Sequence, residues 1–234
     1  MYVRLPGTQM PVWAIYRIAL FYWCSRHPDR TTIYVDGFNL YYGAVRGGNS
    51  KWLNLQRFFE MLRPHDNIIQ IHYFTALVDG PTKPNQEVYL WALGTLPKVN
   101  IVLGKFKKKQ VRCSNSLCTF AGNRFFQVPE EKRTDVNIAV FLLDDAYQDK
   151  CDHSIVVSGD SDLVPAIGLL KTRFPEKRVT VYVPSRNPKR GAAVELRSAA
   201  DKSRTLPLNL LSLAQFPASL PDGAGGTLTK PASW

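Results

Sequence analysis

The chain has 234 residues, 45% of them hydrophobic, with a formal net charge of +11 at pH 7 and four cysteines. This length accommodates one full α/β domain and is short for two, and the cysteines are too few for a dense disulfide framework. No apolar stretch reaches the length of a membrane helix, so we expect a cytoplasmic protein, not a membrane protein, whose basic surface favours a polyanionic partner.

Residues 1–30 form an N-terminal extension whose role the sequence does not indicate. Residues 10–24 are rich in Trp, Tyr, Ile and Leu, although Arg17 interrupts the run. They are either an amphipathic helix packed on the domain or a segment upstream of the true start of translation. The next element is clearer, because residues 31–35 are β-branched and apolar, which is typical of a buried parallel strand.

Helices and strands then alternate along the chain. We predict a helix near residues 40–45 and another that is capped by Asn54 and ended by Pro64. Hydrophobic periodicity predicts a strand over 68–75, a helix over 86–96 and a strand over 99–103. A strand-rich insertion near 105–128 follows and contains Cys113 and Cys118. Their spacing resembles half of a zinc knuckle, but zinc needs four ligands, so we expect a reduced pair.

The insertion also carries the most concentrated positive charge of the chain. Five basic residues follow one another there without an acid between them: Lys105, Lys107, Lys108, Lys109 and Arg112. Further basic groups lie at 171–178 and 186–197. Because such clusters bind the phosphate backbone of nucleic acids, we assign these five residues to nucleic-acid binding.

The second half of the chain continues the alternation. A helix begins at Thr134 and Asp135. Its buried face is predicted from five apolar side chains at helical spacing, namely Val136, Ala139, Val140, Leu143 and Tyr147. Strands over 153–158, 178–183 and 205–208 and helices over 162–173, capped by Ser161, and 194–200 complete a mostly parallel sheet flanked by helices. Residues 211–234 are predicted to be a flexible tail, because Pro, Gly, Ala and Ser dominate from Phe216.

Four aspartates occupy the ends of predicted strands or the start of a helix. Asp36 follows the first buried strand, and Asp135 begins a helix. Asp160 and Asp162 follow the strand over 153–158. Each alone has an ordinary explanation as a helix-start or turn residue. In open parallel sheets, however, ligands bind beyond the carboxyl ends of the strands, so neighbouring strands would bring all four together.

A cluster of four carboxylates is unfavourable unless protons, basic side chains or a cation relieve the repulsion. Carboxylate oxygens suit Mg²⁺ or Mn²⁺, ions that also accept phosphate oxygens and can activate water for phosphodiester hydrolysis. Asn39 and Ser158 would fit as polar groups around the metal or a phosphate, and we assign Ser158 to nucleic-acid binding together with the five basic residues. A Walker-type loop, GxGxxG, HExxH and a serine nucleophile elbow are all absent from the sequence.

Three segments carry a family likeness: YVDGFNL at 34–40, KRTDVNIA at 132–139 and SGDSDLVP at 158–165. In this order they resemble the NYN domain of the PIN-like nuclease superfamily, in its LabA-like branch, over residues 31–210. The resemblance implies a Rossmann-like, PIN-type three-layer sandwich with a mostly parallel central sheet. It also implies Mg²⁺- or Mn²⁺-dependent RNA cleavage, with metal binding by Asp36, Asp135, Asp160 and Asp162 and support from Asn39.

We therefore predict a metal-dependent endoribonuclease that hydrolyses single-stranded RNA. Four aromatic residues are candidates for stacking on bases, namely Phe38, Tyr41, Tyr42 and Trp52, although core packing is the stronger expectation for Phe38. One alternative is an NADH-dependent hydroxylase (monooxygenase) of a pyridine compound in nicotine-type catabolism, since a relative has that assignment, but the sequence lacks a nicotinamide or redox-cofactor fingerprint. Another is a catalytically silent RNA-binding or regulatory module. The oligomeric state, a homo-oligomer included, stays open.

Overall fold

The computed structural model describes residues 2–5, 8–11, 28–115, 117–186 and 194–234. An antiparallel pair, β1 (Tyr2–Leu5) and β2 (Thr8–Pro11), lies in the N-terminal extension. The rest of the predicted amphipathic segment, residues 12–24, lies outside the described residues. No helix in the described part of the chain is long and apolar enough to cross a membrane.

Six of the strands in the described residues form a parallel central sheet, and the others form separate antiparallel pairs. The strands that follow the N-terminal pair are β3 (Arg30–Asp36), β4 (Asn67–Thr75), β5 (Val99–Leu103), β6 (Lys105–Arg112), β7 (Phe125–Lys132), β8 (His153–Val157), β9 (Arg178–Val183), β10 (Lys202–Thr205), β11 (Ser219–Pro221) and β12 (Thr227–Thr229). The sheet order is β10-β9-β8-β3-β4-β5, and each neighbouring pair in it is parallel. β10 is the last strand of the sheet along the chain, and it lies earlier than the strand that we predict at 205–208.

Helices cover both faces of this sheet. They are α1 (Gly37–Leu40), α2 (Leu55–Leu62), α3 (Lys83–Gly94), α4 (Thr134–Tyr147), α5 (Val164–Arg173), α6 (Val194–Ala199) and α7 (Asn209–Leu213). A π-helical turn, Tyr41–Val45, continues α1, and a 3₁₀ turn, Ser161–Leu163, precedes α5. Helices α2, α3 and α7 pack on one face of the sheet, and α4, α5 and α6 pack on the other. The predicted α/β class, with a mostly parallel sheet between two helical layers, is confirmed.

The central strands are buried on both sides because both faces of the sheet are covered. Side chains alternate between the two faces along a strand. Ile33 and Val35 therefore join the core that contains α2 and α3, whereas Tyr34 joins the core that contains α4 and α5. Burial on both sides explains why β3 and β8 are continuous apolar runs in the sequence.

The buried face of α4 differs from the predicted one. Val136, Val140 and Tyr147 are more than half exposed, whereas Ile138 and Leu142 are completely buried. The helix carries two apolar stripes, and the sequence alone does not show which stripe the sheet covers. The buried stripe includes Asp145, whose carboxylate accepts a hydrogen bond from the hydroxyl of Tyr34 in β3. This long-range contact favours the observed rotation of the helix.

Residues 211–234 pack against the domain, which corrects the prediction of a flexible tail. Leu211, Phe216 and Leu228 are buried in the same core as α2 and α3. The indole nitrogen of Trp52 donates a hydrogen bond to the carbonyl oxygen of Pro217 at 2.8 Å. Apolar residues spaced among the prolines and glycines therefore anchor this segment to the core.

The predicted insertion forms an antiparallel hairpin of β6 and β7, and β7 extends to Lys132. Cys113 and Cys118 follow β6 as free, partly exposed thiols. Within the residues that the structure describes, no group of three or more metal-ligating side chains includes either cysteine. A zinc site in the hairpin is therefore not supported by these two thiols alone.

Candidate metal centre

The candidate site lies beyond the carboxyl ends of β3 and β8, which are neighbours in the sheet. Val35 of β3 is paired with Val157 of β8. From β3 the chain continues to β4 on one side, and from β8 it continues to β9 on the other side. This reversal opens a crevice between the loops that follow the two strands. The acids at the two strand ends are consequently brought to the same place.

Three carboxylates meet in this crevice. Asp135 lies in the first turn of α4, and Asp160 and Asp162 lie in the segment after β8. Each offers one oxygen, and the three oxygens lie within 4.8 Å of one another. Asp160 also accepts a hydrogen bond from the backbone nitrogen of Asp162 at 3.0 Å. Asp160 therefore caps the 3₁₀ turn, in place of the cap by Ser161 that the sequence suggests.

Asp36 belongs to a different environment from the other three aspartates. It has only 2% relative exposure, and its Oδ1 accepts a hydrogen bond from the backbone nitrogen of Asn39 at 2.9 Å. Its Oδ2 accepts hydrogen bonds from the hydroxyl of Ser158 at 2.9 Å and from the amide of Asn39. The predicted set of four ligands thus divides into three open carboxylates and one buried carboxylate with both oxygens engaged.

Asn39 and Ser158 connect the loops that follow β3 and β8. The side-chain oxygen of Asn39 accepts a hydrogen bond from the backbone nitrogen of Gly159 at 3.1 Å. The hydroxyl of Ser158 accepts one from the backbone nitrogen of Asp160 at 3.1 Å. Because Ser158 is completely buried, the predicted direct contact between Ser158 and nucleic acid does not hold. Its hydroxyl instead positions the acids of the site.

The open carboxylates repel one another. Burial raises the pKa of Asp135 to about 6, and the negative charges of the three other aspartates add to this effect. Burial also raises the pKa of Asp36, although hydrogen bonds from Asn39 and Ser158 oppose the shift. None of the four aspartates forms an ion pair with a basic side chain among the described residues. A divalent cation would relieve this repulsion.

Sequence reasoning misses a fifth acid, Glu131, at the end of β7. Its Oε1 is buried and has no hydrogen-bond partner in the described part of the chain. Burial raises the pKa of Glu131 to about 7, and the charges of Asp36 and Asp135 contribute to the increase. The only signal in the sequence is an acid four residues before Asp135, and the hairpin geometry is needed to bring it to the site.

The hairpin presents one of its two faces to the crevice. Phe106 of β6 is paired with Glu131 of β7, and its ring packs edge-on against Phe38 with 5.4 Å between the centroids. Since side chains alternate along a strand, Lys108 and Arg112 lie on the same face as Phe106. The other basic residues assigned to nucleic-acid binding lie on the opposite face: Lys105, Lys107 and Lys109. The pleat of β6 therefore divides the basic segment in two.

The four candidate stacking aromatics differ in exposure. Trp52 is completely buried and packs against Phe216, so it cannot contact a base. Tyr42 is 58% exposed, and Phe38 and Tyr41 are partly exposed. Phe38 and Tyr42 line a concave surface together with Glu131 of the site.

The NYN domain family matches residues 30–208. The chain belongs to this family. The match contains all four predicted metal-binding aspartates and places the protein in a nuclease-type, PIN-like superfamily, whose nucleases usually use divalent metals. This agrees with the carboxylate group at the carboxyl edge of the sheet, whereas the LabA-like branch remains a prediction.

The chain is also similar to two individual proteins. It is 31% identical over 239 residues to 6-hydroxy-3-succinoylpyridine 3-monooxygenase HspA from Pseudomonas putida, with 88% of this chain and 76% of that protein covered. It is also 19% identical to a protein of unknown function from Vibrio parahaemolyticus. The superposition on the crystal structure of that protein covers 78% of this chain and 95% of the other chain, with a TM-score of 0.49. A named monooxygenase thus shares the NYN domain, and membership of the family does not by itself fix the reaction.

Proposed function

We propose that this NYN domain protein is a divalent-metal-dependent endoribonuclease that hydrolyses single-stranded RNA. The observation that carries the proposal is the group formed by Asp135, Asp160 and Asp162, whose oxygens lie within 4.8 Å of one another. This group lies in the crevice of a chain with a net charge of +11. Acids at the binding site of a polyanion would repel it unless a cation separates the two.

The donor set fits Mg²⁺ or Mn²⁺. Both ions prefer oxygen ligands, and Mg²⁺ usually keeps several waters, so three carboxylates leave positions for a substrate. The raised pKa of Asp135, about 6, reflects a cluster whose charges are not balanced in the metal-free protein. Asp135, Asp160 and Asp162 would hold the ion, which when bound would polarise a phosphoryl oxygen and stabilise the negative charge that develops on it.

The protein's own residues would orient the site and accept a proton. Asn39 and Ser158 hold Asp36 and the loop that contains Asp160, so the open carboxylates keep their spacing. Glu131, with its pKa raised to about 7, is suited to exchange a proton near neutral pH. We assign to its carboxylate, which lines the hairpin pocket, the acceptance of the proton that the attacking water loses as the water oxygen bonds to phosphorus and the ribose oxygen leaves.

RNA binding would use the hairpin face that carries Phe106, Lys108 and Arg112. Lys108 and Phe106 line a pocket of about 500 Å³ together with Phe38 and Glu131. Aromatic rings and cations in one concave surface are the elements by which proteins hold single strands. Because phosphate contacts release counterions, we expect RNA binding to weaken steeply as the salt concentration rises.

The proposal is tested with purified protein and a single-stranded RNA labelled at its 5′ end. We expect internal cleavage in the presence of Mn²⁺ and none in excess EDTA. RNA that stays intact with Mg²⁺ and with Mn²⁺, at low and at moderate salt, would contradict the proposal. Binding of that intact RNA would instead select the silent RNA-binding module.

A second candidate function is hydroxylation of a pyridine compound. It is favoured by the 31% identity to a named monooxygenase over most of both chains. Consumption of NADH when 6-hydroxy-3-succinoylpyridine is added, together with no cleavage of RNA, would select this candidate over the nuclease.

A further inference from the structure

A second concave region shares Phe38 and Tyr42 with the pocket that contains Glu131, and the proposed chemistry does not use it. It is a cavity of about 500 Å³ whose lining includes Gly37 and Phe38, which directly follow Asp36. Consecutive Cα atoms are about 3.8 Å apart, so the Cα atoms of Phe38 and Asp36 are separated by at most about 7.6 Å. A molecule bound in this cavity would therefore lie close to Asp36 and, across the shared residues Phe38 and Tyr42, to the pocket that contains Glu131.

Aromatic residues make up a third of the cavity lining. The rings belong to Phe38, Tyr41, Tyr42, Tyr73, Tyr89 and Trp234. The hydroxyl of Tyr89 donates a hydrogen bond to the carbonyl oxygen of Leu53 at 2.9 Å, and its ring lies 5.6 Å from the ring of Trp234. Phe38 and Tyr42 are stacked, with 6.4 Å between their centroids. Aromatic walls that are held in place suit a flat, aromatic ligand.

Local sequence features build this cavity next to the site. A Cβ atom at Gly37 would lie 2.8 Å from the ring and hydroxyl of Tyr73 and 2.7 Å from the carbonyl oxygen of Phe74, closer than real contacts allow. Only glycine therefore permits this approach of the chain to the rings. The following π-helical turn carries Tyr41 and Tyr42, and such turns are rare and frequently lie at functional sites.

Two cations line the cavity without an acidic partner. Arg46 and Lys51 both line it, and neither forms an ion pair with an acid in the part of the chain that the structure describes. The guanidinium carbon of Arg46 lies 5.3 Å from the centre of the Tyr42 ring. In the neighbouring pocket, by contrast, Lys108 lies 3.8 Å from Asp79. A flat ligand that carries a negative group would satisfy both the rings and the cations.

We propose that this cavity binds one nucleobase of the RNA substrate, stacked on Tyr42, with an adjacent phosphate at Arg46 and Lys51. The inference rests on the proposed function, because it places the scissile phosphodiester at the neighbouring carboxylates. It assigns base selectivity to the cavity, so the enzyme would cut beside preferred bases. A free heteroaromatic carboxylic acid offers the same chemistry, and the experiment distinguishes the two sources.

The test measures binding of the four nucleoside 5′-monophosphates by calorimetry in EDTA. We expect at least one of them to bind to the wild type, and Tyr42→Ala or Arg46→Gln to weaken this binding about tenfold or more. Trp91→Ala and Arg173→Gln are matched controls, because both side chains are exposed and neither lines the cavity. Both controls should bind the mononucleotide as the wild type does. Thermal unfolding of each variant verifies that it is folded.

Three outcomes would overturn the inference: equal binding by the wild type and Tyr42→Ala, no binding of any mononucleotide, or binding of 6-hydroxy-3-succinoylpyridine alone. The last outcome would assign the cavity to a free small acid. Cleavage of labelled RNA is followed in parallel with Mn²⁺. Cleavage without mononucleotide binding overturns the inference and leaves the proposed function standing. Mononucleotide binding that depends on Tyr42, without cleavage, supports the cavity and contradicts the proposed nuclease.

Discussion

Two acidic regions lie at opposite edges of the same sheet, and the basic side chains that the structure describes pair with only one of them. At the amino edge, where the parallel strands begin, Asp152 accepts hydrogen bonds from the guanidinium of Arg30 at 2.7 and 3.0 Å. Asp149 pairs with Lys177 at 2.6 Å and with Arg30 at 3.2 Å. Hydrogen bonds from these cations lower the pKa of both aspartates.

The carboxyl edge shows the opposite arrangement. Burial and mutual repulsion raise the pKa of Asp135 to about 6 and that of Glu131 to about 7. The chain has 30 basic and 19 acidic residues, so cations are not scarce, yet none of the described ones pairs with the carboxylates of the crevice. The contrast shows that the described part of the chain supplies no cation to these acids, which leaves them available to an ion from solution.

Replacing one aspartate at each edge of the sheet with asparagine should produce the largest of the expected differences, which is a difference in the rate of RNA cleavage. We expect Asp160→Asn to lower the single-turnover rate of RNA cleavage on the order of 100-fold or more, because a ligand of the metal is lost. Asp149→Asn should leave the rate unchanged. It is a matched control, because Asp149 has a φ of 50°, a conformation that asparagine also tolerates. Similar rates for the two variants would contradict the assignment of the carboxyl edge.

The same comparison predicts opposite changes in stability. In EDTA, Asp135→Asn should raise the free energy of unfolding by about 1 kcal/mol, because it removes repulsion that solvent partly screens. Asp152→Asn should lower it by about 1 kcal/mol or less, because a partly exposed ion pair is lost. Urea denaturation measures both changes. A decrease for Asp135→Asn with cleavage intact would show that Asp135 only begins the helix.

The two edges should also respond to pH in opposite directions in the metal-free protein. A carboxyl group with a raised pKa stabilises the folded state below its unfolded pKa, near 4, and loses this contribution as the pH rises through its folded pKa. The pKa values of Asp135 and Glu131 place that loss between about pH 4 and 7. Asp149 and Asp152, whose pKa values are lowered, stabilise the fold above about pH 4 and lose this contribution on acidification.

We therefore expect the wild type to lose stability relative to Asp135→Asn as the pH rises from 5 to 8 in EDTA. Urea denaturation of both proteins at several pH values measures the difference in their free energies of unfolding. Relative to Asp152→Asn, the wild type should instead lose stability only below about pH 4. A constant difference between the wild type and Asp135→Asn over pH 5 to 8 would contradict the raised pKa of Asp135.

The smallest expected effect is a difference in RNA binding between variants on the two faces of the β6–β7 hairpin. Lys108→Gln should weaken RNA binding several-fold and reduce the dependence of log K on log salt by about one, because one phosphate contact is lost. Lys109→Gln removes the same charge from the face that points away from the crevice, where Lys109 lies 3.9 Å from Glu130. It should change binding little. Equal losses in a filter-binding titration would show that the faces are not distinguished.

The strand ends and the acids that follow them could be predicted from the sequence. The apolar runs of β3 and β8 are local signals; Asp36 is the last residue of β3, and Asp160 and Asp162 lie in the segment that follows β8. The division into open and buried acids could not be predicted in the same way. It depends on hydrogen bonds of Asn39 that join loops 120 residues apart in the chain, and such contacts leave no local pattern.

Other parts of the site also depend on long-range packing. Glu131 enters the site because the hairpin folds towards Phe38, which a strand pattern in β7 does not show. The cavity is completed by Trp234, whose ring lies 6.4 Å from that of Trp52, although composition predicts a flexible tail there. Local periodicity therefore locates the elements, whereas the contacts between distant segments shape the surfaces.

The central claim, that the carboxyl edge holds a divalent cation, is tested most directly by calorimetric titration of the metal-free protein with Mn²⁺. We expect the wild type to bind Mn²⁺ and the double variant Asp135→Asn, Asp160→Asn to lose this binding. The matched double variant at the amino edge, Asp149→Asn, Asp152→Asn, should bind Mn²⁺ as the wild type does. No binding by the wild type, or equal binding by the two double variants, would contradict the metal site.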